Sequence, residues 1–271
     1  MRILITGSNG FIGKNLVEEL KKIKDGENKT RSGLTITEIF EYNTNSGEEM
    51  LEKYCSQADF IFHFAAVCRP KDITEYMTNN HALVNQLLEN LRRYRNPCPI
   101  MFSSSIQASL IGRFYNSEYG KSKLVSEKIL FQYSEETKSK VLVYRLPNLF
   151  GRGGRPNYNS VVATFCSAIA NDQNYVIHGR DTELELLYIG DLISGLVDAL
   201  EGREQHCEYD GLDYKLCRLG RYCCVPKTYK VTLGEIVDWL NYYKRVWPEI
   251  PDMEEDSFEK KLLTTYLSYI P

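Results

Sequence analysis

Tyr119 and Lys123 stand four residues apart in Tyr119-Gly120-Lys121-Ser122-Lys123, so on a helix they share one face. A free phenol has a pKa of about 10 and exchanges protons poorly at neutral pH. A neighbouring ammonium stabilises the phenolate and brings it towards the working range, which makes the pair a candidate proton donor with its activator. In a chain with 19 tyrosines the same spacing also arises as surface decoration. It gains weight from Ser103-Ser104-Ser105 just upstream, where Ser105 is a candidate hydroxyl for a developing oxyanion. A second group lies near the N-terminus, in Thr6-Gly7-Ser8-Asn9-Gly10-Phe11-Ile12-Gly13. Glycines at this spacing permit a tight turn, let the backbone approach a pyrophosphate and allow close helix packing, with the helix N-terminus facing the anion. Gly7, Asn9, Gly10, Phe11, Ile12 and Gly13 are therefore candidate nucleotide contacts; the alternative is a tight turn that binds nothing.

The elements that must position these residues are legible as an alternation. Apolar, β-rich runs at Arg2 to Thr6, Thr35 to Phe40, Asp59 to Phe64, Ile100 to Ser103 and Lys140 to Arg145 are separated by helix-period stretches, such as Ile12, Leu16, Val17, Leu20 and Ile23. Strand, crossover helix, parallel strand is the rhythm of an α/β, doubly wound, Rossmann-like sheet covered on both faces. Glu41, at the expected end of the second strand, is a candidate acceptor for a ribose 2′-hydroxyl. The residues themselves leave NAD and NADP open. Residues 1–150 form the expected nucleotide-binding domain and 151–271 a smaller, interleaved substrate-binding part, from which 180–201 returns to the first domain. That second part is expected to be a lid over the carboxyl ends of the strands, with a helix from Ser160 to Ala170, short strands near Val176 and Leu186, and an irregular Cys/Tyr-rich stretch from Arg203 to Tyr229. Thr232-Leu233-Gly234-Glu235 has the form of a capping box that opens a further helix.

The chain has 271 residues with 43% hydrophobic and 25% charged side chains, an ordinary globular composition, and a formal charge of −3 offers no basic field for nucleic acid or an anionic membrane. No apolar run is long enough for a bilayer and no signal peptide is legible, so a cytoplasmic protein is expected. Cys207, Cys217, Cys223 and Cys224 lack the paired spacing of a zinc site and read as free thiols, so no metal is expected.

The glycine loop, the serine ending the fourth strand and the YxxxK helix together resemble the extended short-chain dehydrogenase/reductases that act on nucleotide sugars. His63-Phe64-Ala65-Ala66, Asn80 and Arg145-Leu146-Pro147-Asn148-Leu149-Phe150-Gly151 fit the same pattern, and the resemblance covers the whole chain. It implies Ser105 and Tyr119 on a sugar carbonyl, Lys123 on the nicotinamide ribose, Ala65, Ala66 and Asn80 beside the cofactor, and Asn148 on the nucleotide-sugar. Within that family Phe102 to Ala108, Pro156 to Ser160, Val231 to Val237 and Thr265 to Tyr269 resemble the reductase half of CapF-type capsular-polysaccharide enzymes, which join an NADPH-dependent reductase to a zinc cupin. The likeness implies NADPH rather than NADH, a UDP-linked 4-keto-6-deoxy-N-acetylhexosamine as substrate, and a homodimer. Because only the reductase half is matched, one activity, C4 reduction, is expected here, with two alternatives: the chain is cut from a longer protein that carries the cupin, or a separate cupin-type C3 epimerase supplies the sugar. Near strand two, CapF-type chains carry a basic residue where this chain reads Asn43-Thr44.

Ile106 and Gln107, beside the strand-four hydroxyl, do not titrate, which speaks against a dehydratase. Cys68 and His178 are conceivable as a second acid/base pair, though a lone Cys or His is more often packing. A C4 epimerase that retains its NAD is compatible with Ser105, Tyr119 and Lys123, and a non-catalytic nucleotide sensor would have no need of Tyr119 or Lys123. The reading preferred over these is hydride delivery to a C4 keto group with Tyr119 as proton donor. Arg152 and Arg180 are candidates for the diphosphate, Asn157 and Asn159 for the uracil or sugar, and Arg69 for a further substrate contact; the alternatives are solvated arginines and turn-forming asparagines.

Overall fold

The computed structural model describes residues 1–67, 72, 75–158, 160–249 and 252–270. Arg69, Asn159 and Cys68 lie outside the described residues.

Apolar runs and helix-period stretches alternate along the first half as expected: β1 (Arg2–Thr6), α1 (Phe11–Lys24), β2 (Glu38–Tyr42), α2 (Glu48–Gln57), β3 (Phe60–His63), α3 (Glu75–Arg93), β4 (Ile100–Ser105), α4 (Glu118–Thr137) and β5 (Val141–Leu146). The chain continues through β6 (Asn148–Phe150), α5 (Val161–Ala170), β7 (Glu183–Tyr188), α6 (Ile189–Leu200), β8 (Gln205–Asp210), β9 (Asp213–Leu216), β10 (Tyr222–Cys224), β11 (Tyr229–Thr232), α7 (Leu233–Val246) and α8 (Phe258–Leu267). Two units divide these elements: residues 1–146 with 195–224, and residues 147–194 with 225–271.

The first unit holds an eight-stranded sheet in the order β2-β1-β3-β4-β5-β10-β8-β9. Its five N-terminal strands are parallel, and β3 and β4 are buried almost end to end because helices cover both faces. On one face Leu4, Ile61, Phe102 and Val143 pack against Leu87 and Leu130 of α3 and α4. Strand β2 begins three residues later than the apolar pattern suggested (38 − 35), because it pairs residue for residue with Arg2–Thr6; Glu41 thereby lies opposite Ile5, inside the strand.

The expectation of irregular chain from Arg203 to Tyr229 is corrected. Strand β10 adds in parallel to β5 at Cys223 and Tyr144, and β8 and β9 follow antiparallel. These short strands carry Cys, His, Tyr and charges instead of an apolar run, so no periodicity announces them. They also set the returning segment at 195–224, where 180–201 was expected. Cys207, Cys223 and Cys224 are buried free thiols within these strands, Cys55, Cys98 and Cys166 are buried elsewhere, and Cys217 is exposed. Burial pushes the Cys55 thiol up to about 12, leaving it unreactive.

The second unit has a three-stranded sheet, β11-β7-β6, whose Phe150 and Leu186 pack with Phe165, Ile236, Leu240 and Leu262 of α5, α7 and α8. The strand expected near Val176 is absent: residues 173–178 are irregular and Val176 is 70% exposed. Helix α7 opens with the expected capping box, Thr232 and Glu235 bonding each other's backbone nitrogens. Among the described residues no helix is long and apolar enough to cross a membrane, and no group of three His, Cys, Asp or Glu side chains is placed to hold a metal.

Candidate active site

The glycine loop joins β1 to α1, and each glycine meets backbone. Gly7 has φ +73°, and a methyl group there would lie 2.7 Å from the Ala65 nitrogen; at Gly13 it would lie 2.3 Å from the Gly7 oxygen. The chain after β3 is thus pressed against the loop, with the Ala65 N–H also 3.3 Å from Thr6 Oγ1. Helix α1 starts at Phe11 after Gly10 with no side-chain cap. Its first N–H groups have no intrahelical partner and point at the exposed Asn9–Gly10 turn, so the cradle fits a dinucleotide's pyrophosphate.

Glu41 is drawn away from this cradle. Its side chain lies along α1, where the Lys21 ammonium donates to Oε1 at 2.8 Å. The residue that reaches the loop is Asn43, whose Nδ2 lies 3.3 Å from Ser8 Oγ; it follows from the shifted end of β2 and was not singled out from the sequence as a ligand contact. Asn80, expected at the cofactor, is 5% exposed and committed to protein: its Oδ1 accepts from the Val67 N–H at 2.8 Å and its Nδ2 donates to Ser122 Oγ at 3.1 Å. It ties the segment after β3 to α4, a positioning role.

The three serines that end β4 are distinguished by their surroundings. Ser103 and Ser104 are buried, whereas Ser105 is partly exposed. Ser105 Oγ accepts the Gln107 N–H at 3.2 Å and caps the 3₁₀ turn Ile106–Ser109, leaving its own hydroxyl proton to donate. That turn lies hard against α4: a methyl at Gly120 would sit 2.2 Å from the Gln107 oxygen, and Ser117, the N-cap of α4, donates its hydroxyl to Gln107 Oε1 at 2.7 Å. Gly120 is therefore the space through which the strand-four turn approaches the Tyr119 helix, and Gln107 is a structural ligand of that helix.

Lys123 is 2% exposed, and its Nζ donates to the Ser103 carbonyl at 2.7 Å. The same Nζ stands 4.6 Å from the Phe102 ring centre and 5.8 Å from that of Tyr119, whose ring packs against Tyr76 at 5.8 Å. Helix α4 thus brings Tyr119 and Lys123 to the end of β4, beside Ser105. Beneath them His63 is fully buried, with Nδ1 2.7 Å from Thr6 Oγ1. Burial first, and the Lys123 charge second, hold its imidazole down at about 3.

A neutral buried His63 makes stability depend on pH. The unfolded imidazole protonates near 6.5 and the folded one at about 3, so the stabilisation is complete above pH 6.5 and is lost on acidification towards pH 3, at about 1.4 kcal/mol per pH unit. Between pH 7 and pH 5 the wild type should lose about 2 kcal/mol more unfolding free energy than His63→Gln, measured by urea denaturation. Parallel pH profiles would assign the acid sensitivity elsewhere.

The remaining candidates lie in the second unit. Asn148 is exposed on β6, with Nδ2 3.5 Å from the Glu185 carbonyl. Arg152 and Asn157 are exposed in the loop before α5, Asn157 at φ +55° with its N–H bonded to Thr164. Arg180, exposed, pairs with a carboxylate: its guanidinium nitrogen is 2.7 Å from both oxygens of Asp238 on α7. His178 is exposed on an irregular segment, as a solvated side chain is.

With this geometry in hand, the comparisons are specific. A relative from Pseudomonas aeruginosa, UDP-2-acetamido-2,6-beta-L-arabino-hexul-4-ose reductase, is 32% identical over 272 aligned residues, covering 100% of this chain and 65% of its own length. The crystal structure of the capsular polysaccharide assembling protein CapF from Staphylococcus aureus superposes with a TM-score of 0.80 at 39% identity, over 100% of this chain and 66% of that one. This chain therefore spans a little under two thirds of the length of both. The UDP-glucose 4-epimerase of Thermotoga maritima shares the fold, with a TM-score of 0.73 at 18% identity over 99% of this chain and 98% of that one. Residues 3–210 match the NAD dependent epimerase/dehydratase family, and with the glycine loop at β1, the serine at the end of β4 and the Tyr-Lys face of α4 in place, the chain belongs to that family, the extended branch of the short-chain dehydrogenase/reductases.

Proposed function

We propose that the protein reduces the C4 keto group of a UDP-linked 4-keto-6-deoxy-N-acetylhexosamine with NADPH. The observation that carries this reading is the meeting of α4 with the end of β4, where Lys123 is fixed by the Ser103 carbonyl within 5.8 Å of the Tyr119 ring, next to the one strand-four serine that is not buried. The Pseudomonas relative, a 4-ketosugar reductase by name, supports the substrate class.

When bound, the nicotinamide supplies the hydride. Tyr119 gives its phenolic proton to the oxygen as the ketone becomes an alcohol, and Ser105 donates a hydrogen bond to that oxygen as its charge grows. Lys123 stabilises the tyrosinate left behind and, with the glycine loop, orients the dinucleotide. Ala65 and Ala66 border the loop; Asn148, Arg152 and Asn157 remain the second unit's candidates for the UDP-sugar. The choice of NADPH rests on the likeness to the CapF-type reductase half; at the end of β2 a neutral Asn43 is turned to the loop and Glu41 pairs with Lys21. A cupin-type C3 epimerase acting beforehand would supply the substrate, in the cytoplasm where nucleotide sugars and NADPH are available, and the enzyme would act as a homodimer.

Purified protein mixed with NADPH and an enzymatically prepared UDP-4-keto-6-deoxy-N-acetylhexosamine should oxidise one NADPH per sugar, followed at the nicotinamide absorbance band. NADPH is expected to give a higher kcat/KM than NADH, and Glu41→Ala should leave that ratio unchanged. Protein purified with tightly held NAD that interconverts C4 epimers without net oxidation would replace this reading with the epimerase one.

A further inference from the structure

Helix α4 grips β4 twice. One turn beyond Lys123 on the same face, Glu127 accepts the Ser104 hydroxyl at 2.5 Å, so consecutive residues of the strand are held by consecutive turns of the helix. Tyr119, Lys123 and Glu127 line one stripe of α4. Glu127 is 1% exposed, and the charge that balances it comes from β5: Arg145, paired in register with Ser104, donates from Nε at 2.9 Å and from a terminal nitrogen at 2.6 Å. The guanidinium is covered in turn by β8 and β10, lying 4.4 Å from the Tyr222 ring centre and 5.3 Å from that of Tyr209. Tyr209 donates its hydroxyl to the Arg145 carbonyl at 3.0 Å, and Tyr222 reaches Glu127 at 3.4 Å. The strands β8 and β10, which carried no sequence signal, therefore seal a buried ion pair beneath the serine turn.

We propose that Glu127 and Arg145 are positioning residues for the reaction: they set the height of Ser104, hence of Ser105, against the Tyr119–Lys123 stripe. Three apolar side chains at 104, 127 and 145 would hold the layers together at least as well, since a buried ion pair is a poor source of net stability. They would not fix the strand end to hydrogen-bond precision, and misplacement of reacting groups by about 1 Å costs about a hundredfold in rate. The effect on turnover rests on the reductase reading; the effect on Tyr119 does not, because it needs only the Lys123 neighbour.

Three variants test this: Ser104→Ala, Glu127→Gln, and the double apolar variant Glu127→Leu/Arg145→Met, which leaves no charge unpaired. Each is expected to bind NADPH within about twofold of wild type and to keep KM for the sugar, while kcat falls about 10- to 100-fold. Independently of any sugar, ultraviolet titration of Ser104→Ala and of the charge-free double variant, each against its own Tyr119→Phe counterpart with NADP bound, should show the Tyr119 phenol moving to higher pH by about one unit. Should Glu127→Gln fail to fold, Ser104→Ala and the charge-free double variant carry the test. A folded double variant with wild-type kcat and an unshifted Tyr119 titration overturns the proposal. A wild type that leaves the keto sugar untouched, while the Tyr119 titration still shifts in the variants, overturns the substrate assignment and leaves the positioning role standing.

Discussion

Tyr119→Phe is expected to lower kcat for ketosugar reduction by about a thousandfold while NADPH affinity stays within about twofold of wild type. The substitution removes one hydroxyl and keeps the ring. The ring keeps its packing on Tyr76, and Lys123 keeps its bond to the Ser103 carbonyl, so neither the fold nor the cradle at Gly7 to Gly13 is disturbed. On the proposed reaction, what is lost is the proton that reaches the carbonyl oxygen as hydride arrives; without it, water or Ser105 must serve, and a hydroxyl with no ammonium to stabilise its conjugate base is a far weaker acid. Steady-state rates by nicotinamide absorbance and affinity by NADPH fluorescence separate the two quantities. Equal turnover by the two proteins would remove Tyr119 from the mechanism.

Gly13→Ala should act on the opposite quantity, weakening dinucleotide binding by about a hundredfold or more. An added methyl would stand 2.3 Å from the Gly7 oxygen and 2.8 Å from the Ser8 Cα, and both are backbone, so no side chain can swing aside. Helix α1 must move outward, carrying its first N–H groups away from the pyrophosphate. The same overpacking should cost about 1–3 kcal/mol of stability. Gly33→Ala is the control, since a methyl there meets nothing within 4 Å. Isothermal titration with NADP, alongside a melting temperature, distinguishes a displaced cradle from an unfolded protein; unchanged affinity in Gly13→Ala would mean that the dinucleotide is not held by this turn.

Both predictions rest on residues that announce themselves in one dimension. Gly7, Gly10 and Gly13 sit between an apolar run and a helix-period stretch, and Tyr119 and Lys123 are one turn apart, so their juxtaposition is nearly guaranteed once the local element forms. The capping box at Thr232 and Glu235 is legible for the same reason. Sequence likeness pointed to Ser105 among three neighbouring serines, of which Ser103 and Ser104 are buried.

Elsewhere local reading fell short, and in each case a partner distant in the chain decided the outcome. Glu41 looked like a strand-end carboxylate facing a ribose; its register against Ile5 turns it to Lys21 on α1 and gives the loop to Asn43. Asn80 looked like a cofactor ligand, yet its amide is consumed by Val67 and Ser122. Arg180 looked like a phosphate ligand and meets Asp238, 58 residues away. The Cys/Tyr-rich segment had no period because its short strands take their stability from the sheet they join, and it closes over Arg145 from 64 to 77 residues further along the chain (209 − 145 and 222 − 145).

The sequence by itself determined the alternating architecture, the glycine cradle and the Tyr119–Lys123 stripe, because separations of three or four residues translate into distances through backbone geometry alone. Only the tertiary structure decided which carboxylate answers which cation, which of the three serines stays partly exposed, and that Glu127 and Arg145 pair beneath the end of β4. Those contacts depend on strand register and on which layers pack together, quantities that no local spacing encodes.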